Sequence, residues 1–234
     1  MKRPYNTLFL LMSLDGKIST GANDKMDFDK DLPKIAGARE GLKQYYDFEQ
    51  TTDLHSMISG RVLAKLGINK RQKINKTPVS FIVVDNSNLT KTGVENMAEK
   101  GRRLYLVTTN PKHPAVAARA DNVTVLYDKK LNFGRIFARL YKEFDVKRIT
   151  VQTGGTLNAR LVRDGHIDEV SIFIAPILVG GKDTPTLMDG DPLKSAKDLA
   201  KIKPLRLISA KTLDDSYVRL RYRVVNSTNQ ESGL

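Results

Sequence analysis

Residues 148–163 read RITVQTGGTLNARLVR. A β-branched run enters two adjacent glycines and leaves them with helical spacing. The pattern predicts a strand over 148–153, a turn, and a helix opening near Gly155. Two readings of the glycine pair stand side by side. In one, the turn only makes a tight strand-to-helix connection. In the other, the glycines bring the main chain close to an anion. The first amides of a helix lack intrahelical acceptors and carry the positive end of its dipole, so a phosphate is well received there. Thr156 then either caps the helix or adds a hydroxyl contact. The stretch is neither the three-glycine dinucleotide fingerprint nor a P-loop lysine motif.

Working outward, strand-like runs recur at 6–14, 53–59, 79–85, 103–109, 122–127, 169–179, 205–213 and 217–225. Several are almost continuously apolar, as in strands covered on both faces. Helical patterns fall between them, at 29–49 with Asp27 or Asp29 as N-cap, in GVENMAEKG, in HPAVAARA, at 132–145, and in SGRVLAKLG. Alternating strands and helices predict a three-layer α/β/α fold with a mostly parallel central sheet. The last two runs are separated by DDS, which predicts an antiparallel C-terminal hairpin. No linker or repeat interrupts the chain, so a single domain is expected over 1–226, followed by a polar, frayed tail at 227–234.

The chain has 234 residues, 40% hydrophobic and 28% charged, with a formal net charge of +13. That composition is globular. The apolar run LFLLM near the N-terminus is too short for a membrane span and lacks a cleavage site, and it reads as the first strand. There is no cysteine, which excludes disulfides and thiolate metal sites and fits a reducing, cytoplasmic setting. The positive charge favours anionic partners. The cations are dispersed, and the eight Tyr and eight Phe form no stacking motif, so small phosphorylated molecules are expected ahead of nucleic acid.

Other polar strand exits join the glycine turn. SLDGKIS (13–19) follows the first strand, SGRVLAKLG (59–67) the second, VVDNSN (83–88) and VTTNP (107–111) the next two. Each alone is explained by a loop, and Arg61 alone by solvation. Together they describe the carboxyl-end crevice where open α/β sheets bind ligands. The three histidines, His55, His113 and His166, show no metal spacing, and no metal site is expected. His55 reads as a strand residue, His113 and His166 as loop residues. No nucleophile elbow or close carboxylate pair is present. Phosphate-binding turns without a nucleophile point to a cofactor that brings its own chemistry.

SLDGKIS, VVDNSN and QTGGTLNARLVRDGHIDEVSIFIAPILVGGKDTPTL together resemble the reductase domain of riboflavin biosynthesis, a family with the dihydrofolate-reductase-like fold. The resemblance runs in order over 1–225. It implies an NADPH-dependent homodimer that passes a hydride to the sugar C1 of a phosphorylated ribosylaminopyrimidine, opened as an imine. It further implies that Thr153, Gly154, Gly155, Thr156 and Leu157 hold the cofactor pyrophosphate, and that Met12, Ser13 and Met26 lie near the nicotinamide. Gly60 and Arg61 would form the second cofactor turn, and Asp85, Asn86 and Ser87 the region of the adenosine 2′-phosphate. Asp15, Lys17, Asn23 and Asp24 would border the substrate, with Asp15 the candidate general acid. The chain departs from the family at Gln152, where a Glu is usual and a substrate contact is expected. It departs again in SGRVLAKLG, where the family has Gly-x-Gly-Thr. It has no Arg just before the second strand, and Arg39 is the candidate to replace it. A pterin- or folate-like substrate, or a non-catalytic module binding nucleotide or RNA, are the other readings.

Overall fold

The computed structural model describes residues 2–70 and 73–226. In chain order the elements are β1 (Tyr5–Ser13), α1 (Phe28–Asp31), α2 (Leu42–Glu49), β2 (His55–Ser59), α3 (Gly60–Lys65), β3 (Ser80–Val84), α4 (Lys91–Lys100), β4 (Leu104–Thr108), β5 (Val123–Tyr127), α5 (Phe133–Glu143), β6 (Arg148–Val151), α6 (Gly155–Arg163), β7 (Glu169–Ala175), β8 (Leu205–Thr212) and β9 (Val218–Val224). All nine expected strands form. The strands are mostly parallel, helices flank them, and the C-terminal strands are antiparallel, which is the expected fold class. Among the described residues no helix is long and apolar enough to cross a membrane. The tail expected to fray, 227–234, lies outside the described residues.

The chain divides into two compact units, one of residues 1–5 and 53–153, the other of 6–52 and 154–234. In the first, the strand order is β5–β4–β3–β2–β6 and every pair is parallel. β4 is buried along its whole length. Leu104 and Leu106 on it pack with Val83, Leu63, Val94 and Met97 into one apolar cluster. α5 begins at Asn132, whose side chain accepts from the Arg135 amide, and buries the stripe Phe133, Ile136, Phe137 and Leu140. That is the helical period read from the sequence.

In the second unit the order is β1–β7–β9–β8. β1 runs parallel to β7, with Leu11 opposite Phe173, and β9 runs antiparallel to both β7 and β8. Phe9, Leu42, Tyr45, Phe173 and Tyr217 form its core, with the Phe9 and Tyr45 rings stacked at 5.2 Å. The Tyr217 hydroxyl donates to the Ala38 carbonyl at 2.6 Å, and burial pushes its pKa up to about 12.

Two helix expectations are corrected. The helix expected over 29–49 breaks into α1, a 3₁₀ turn at Leu32–Lys34, a non-helical segment and α2. Pro33 has no amide for a longer helix, Gly37 sits at φ +84°, and Gly41 leaves room for the Tyr217 ring, which a Cβ there would strike. HPAVAARA forms only a 3₁₀ turn, Pro114–Ala117.

Candidate functional site

The exit of β1 is built around Asp15. Ser13, the last residue of β1, is buried. Its hydroxyl donates to Asp15 Oδ1 at 2.5 Å and accepts from the Lys17 amide at 2.9 Å. Gly16 completes the turn at φ +79°, a conformation that favours glycine. Asp15 then reaches the segment after β7, accepting from the Val179 amide at 3.1 Å and the Gly180 amide at 2.7 Å. The Ser13 hydroxyl, with help from the Gly180 and Val179 amides, holds the Asp15 pKa down at about 2 against the effect of burial. Asp15 is therefore a carboxylate at neutral pH. In that state it can accept hydrogen bonds from a heterocycle. Lys17 Nζ donates to the carbonyls of Gly181 at 2.7 Å and Thr184 at 3.2 Å, and so ties down the same segment from the other side.

The two glycines that open α6 turn out to differ. Gly154 is the N-cap, at φ −77° and ψ 161°, and nothing lies within 4 Å of where its Cβ would stand. Gly155 is buried, and a Cβ there would overlap the Thr186 carbonyl and the Asp189 carboxylate. Gly154 leaves open space at the helix start, while Gly155 lets residues 184–189 lie across the first turn. Thr156 is exposed on that turn and is not the cap, Leu157 is half-buried, and Thr153 is buried.

Three residues that hold this segment were not singled out from the sequence, although Asn158 and Thr186 lie within the stretch that carries the resemblance. Asn158 donates to the Leu187 carbonyl at 2.9 Å. The Asp189 amide donates to the Gly155 carbonyl at 3.0 Å. Thr186 donates through its amide and hydroxyl to Asp189 Oδ1, at 3.1 and 2.6 Å. Isolated polar residues in a loop carry no periodicity. A further clue was that Asn158 is a polar residue on the buried face of a helix.

Residues 20–27 form a short loop anchored at Asp31. That carboxylate accepts from the Thr20 hydroxyl and the Asp27 amide. These bonds, the Thr20 one first, lower its pKa to about 2. Asn23, Asp24 and Met26 are exposed on the loop, and Met12 is half-buried on β1. Arg39 is exposed and pairs with its neighbour Glu40 at 2.9 Å.

In the first unit, Ser59 caps α3 by accepting from the Val62 amide. Gly60 behind it is buried against Asp85, which a Cβ would strike. Arg61 is exposed. Asp85 is itself buried. Its carboxylate accepts from the Asn88 amide and side chain and the Leu89 amide and pairs with His113 Nε2 at 3.0 Å. Burial alone would raise the Asp85 pKa, but these bonds together hold it below its ordinary value. His113 lies in a loop, as expected, and is buried there. Its Nδ1 accepts from the Ala115 amide at 3.1 Å, so Nε2 carries the proton donated to Asp85. Asp85 thus shapes the β3 exit from beneath, while Asn86 and Ser87 are exposed on it. Asn86 Oδ1 accepts from the Thr108 hydroxyl and the Thr109 amide. Gln152 Oε1 accepts from the Ser56 hydroxyl at 3.2 Å, a bond a glutamate could also accept. Among the described residues no group of three His, Cys, Asp or Glu is placed to hold a metal.

The chain is similar to the 2,5-diamino-6-ribosylamino-4(3H)-pyrimidinone 5′-phosphate reductases of Methanothermobacter thermautotrophicus, at 26% identity over 86% of this chain and 91% of the relative, and of Archaeoglobus fulgidus, at 26% over 86% and 93%. Its fold is that of Acinetobacter baumannii RibD, with a TM-score of 0.66 at 17% identity, covering 96% of this chain. It spans only 59% of that longer protein. The sequence model of the RibD C-terminal domain matches residues 4–218, and the chain therefore belongs to the RibD C-terminal domain family.

Proposed function

We propose that the chain is an NADPH-dependent reductase of a phosphorylated ribosylaminopyrimidine. The observation that carries this reading is the open, uncapped start of α6 at Gly154, in a chain that matches pyrimidinone phosphate reductases over 86% of its length. When bound, NADPH would supply the hydride to the sugar C1 of the imine, and solvent the proton to its nitrogen, giving a ribitylamino group. The chain's own residues bind and orient. The leading amides of α6 receive the pyrophosphate, with Thr156 beside them. Ionised Asp15 accepts from N–H groups of the heterocycle, and its bonds to Val179 and Gly180 fix its direction. Arg61 is the proposed contact for the 2′-phosphate, through its planar fork. The catalytic contribution is positioning, which holds donor and acceptor carbons close. We further propose that the chain acts as a homodimer.

The test is NADPH oxidation by the purified chain against a panel of pyrimidine phosphates and pterins. Turnover of a ribosylaminopyrimidine phosphate is expected. Turnover of a pterin alone would reassign the substrate. A chain that binds no NADPH, and instead binds RNA in a salt-sensitive manner, would overturn the reading.

A further inference from the structure

Asp189 sits where an acidic residue works against the proposed ligand. Its carboxylate lies against Gly155, the first residue of α6, with Oδ2 the oxygen that fills the place of the missing Cβ. The two donors from Thr186 both converge on Oδ1, at 3.1 and 2.6 Å. Oδ2 also accepts from the Thr186 amide, at a longer 3.3 Å. A full negative charge therefore stands beside the positive end of a nine-residue helix whose N-cap supplies no side chain. Carboxylates are stabilised at such positions by the helix dipole. The same charge repels a phosphate brought to those amides.

We infer that Asp189 is an affinity-setting residue, an internal anion that weakens cofactor pyrophosphate binding at α6 and thereby eases cofactor release. The inference rests on the cofactor reading above. In the Asp189→Asn variant, the side-chain amide keeps an oxygen at the Oδ1 position for both Thr186 donors and puts an NH₂ donor in place of Oδ2, facing Gly155. The substitution therefore removes the charge and keeps the two shorter Oδ1 bonds, losing only the 3.3 Å bond to Oδ2. The tether to α6 also includes the main-chain bond from the Asp189 amide to the Gly155 carbonyl, which the substitution does not touch.

The experiment is NADPH titration by fluorescence, at low and high salt, with melting temperatures measured in parallel. Asp189→Asn is expected to lower the Kd about three- to tenfold at low salt, the size of one nearby charge in a well-solvated site. The gain should shrink as salt rises. Thr186→Val keeps the charge and loses one tether, and is expected to bind no more tightly than the wild type. The inference is overturned if Asp189→Asn leaves the Kd unchanged or raises it, or if Thr186→Val tightens binding equally. An Asp189→Asn chain that does not fold also overturns it, because the carboxylate would then be a structural requirement. A wild type that binds no NADPH removes the cofactor reading and this inference together. A wild type that binds, with an unimproved variant, removes this inference alone.

Discussion

The glycine pair at 154 and 155 shows how two identical residues come to have separate duties. Gly154 has an ordinary φ and open space around it, so Gly154→Ala is expected to leave the fold within about 1 kcal/mol of the wild type, or slightly more stable. Gly155→Ala drives a Cβ into the Thr186 carbonyl and the Asp189 carboxylate, and is expected to cost about 1–3 kcal/mol. Urea denaturation of both variants measures the difference, and equal losses would refute this division of roles. The sequence made the pair visible but could not divide it, because the atoms that fill Gly155's space come from residues some thirty positions later. His113 lies in a loop, as read, but its burial was not legible, because its partner Asp85 stands 28 positions earlier. Asp15 stood out by its place after β1, but its ionisation is set by Ser13 and by the Val179 and Gly180 amides, of which only Ser13 is a sequence neighbour.

At the level of elements, the strands were legible because burial on both faces leaves continuous apolar runs, and α5 because its stripe has one clean period. The 29–49 segment was less legible. Its apolar residues keep roughly helical spacing, but Pro33, Gly37 and the intruding Tyr217 ring break it, and the ring arrives from the far end of the chain. The strand expected to run to 179 ends at Ala175, and residues 176–189, which link the β1 exit to the start of α6, form no helix or strand. The segment's grip on β1 is titratable. Asp15 has a folded-state pKa of about 2 against an ordinary 3.8. A depressed carboxylate contributes stability that is fully present above the ordinary value and is lost as pH falls toward the folded value. The stability gap between the wild type and Asp15→Asn is therefore expected to stay constant from neutral pH to about 4 and to close below it. Denaturant melts across that range test this, and a gap that varies between pH 5 and 7 would point to another group.

For the whole molecule, the balance of apolar and charged residues marked a globular chain, and the strand–helix alternation gave the fold class. The proposed homodimer has a surface to be tested. β8 is an edge strand with Leu205, Leu207 and Ile208 exposed, an arrangement that unpartnered sheets avoid. A dimer through this edge predicts that Leu207→Lys lowers the mass seen by light scattering from dimer to monomer. A wild type already monomeric at micromolar concentration would reject it. The division of the chain also has a temporal consequence. Residues 53–153 form an uninterrupted block within the first unit, so the ribosome delivers nearly all of that unit in one stretch. The second unit has to wait. Asn6, at the start of β1, bonds to Asp168, 162 positions later, and β7 follows directly after. During synthesis the apolar LFLLM run of β1 therefore spends the making of more than half the polypeptide without its partner β7, and this is the interval in which nascent chains most need the shelter of a chaperone.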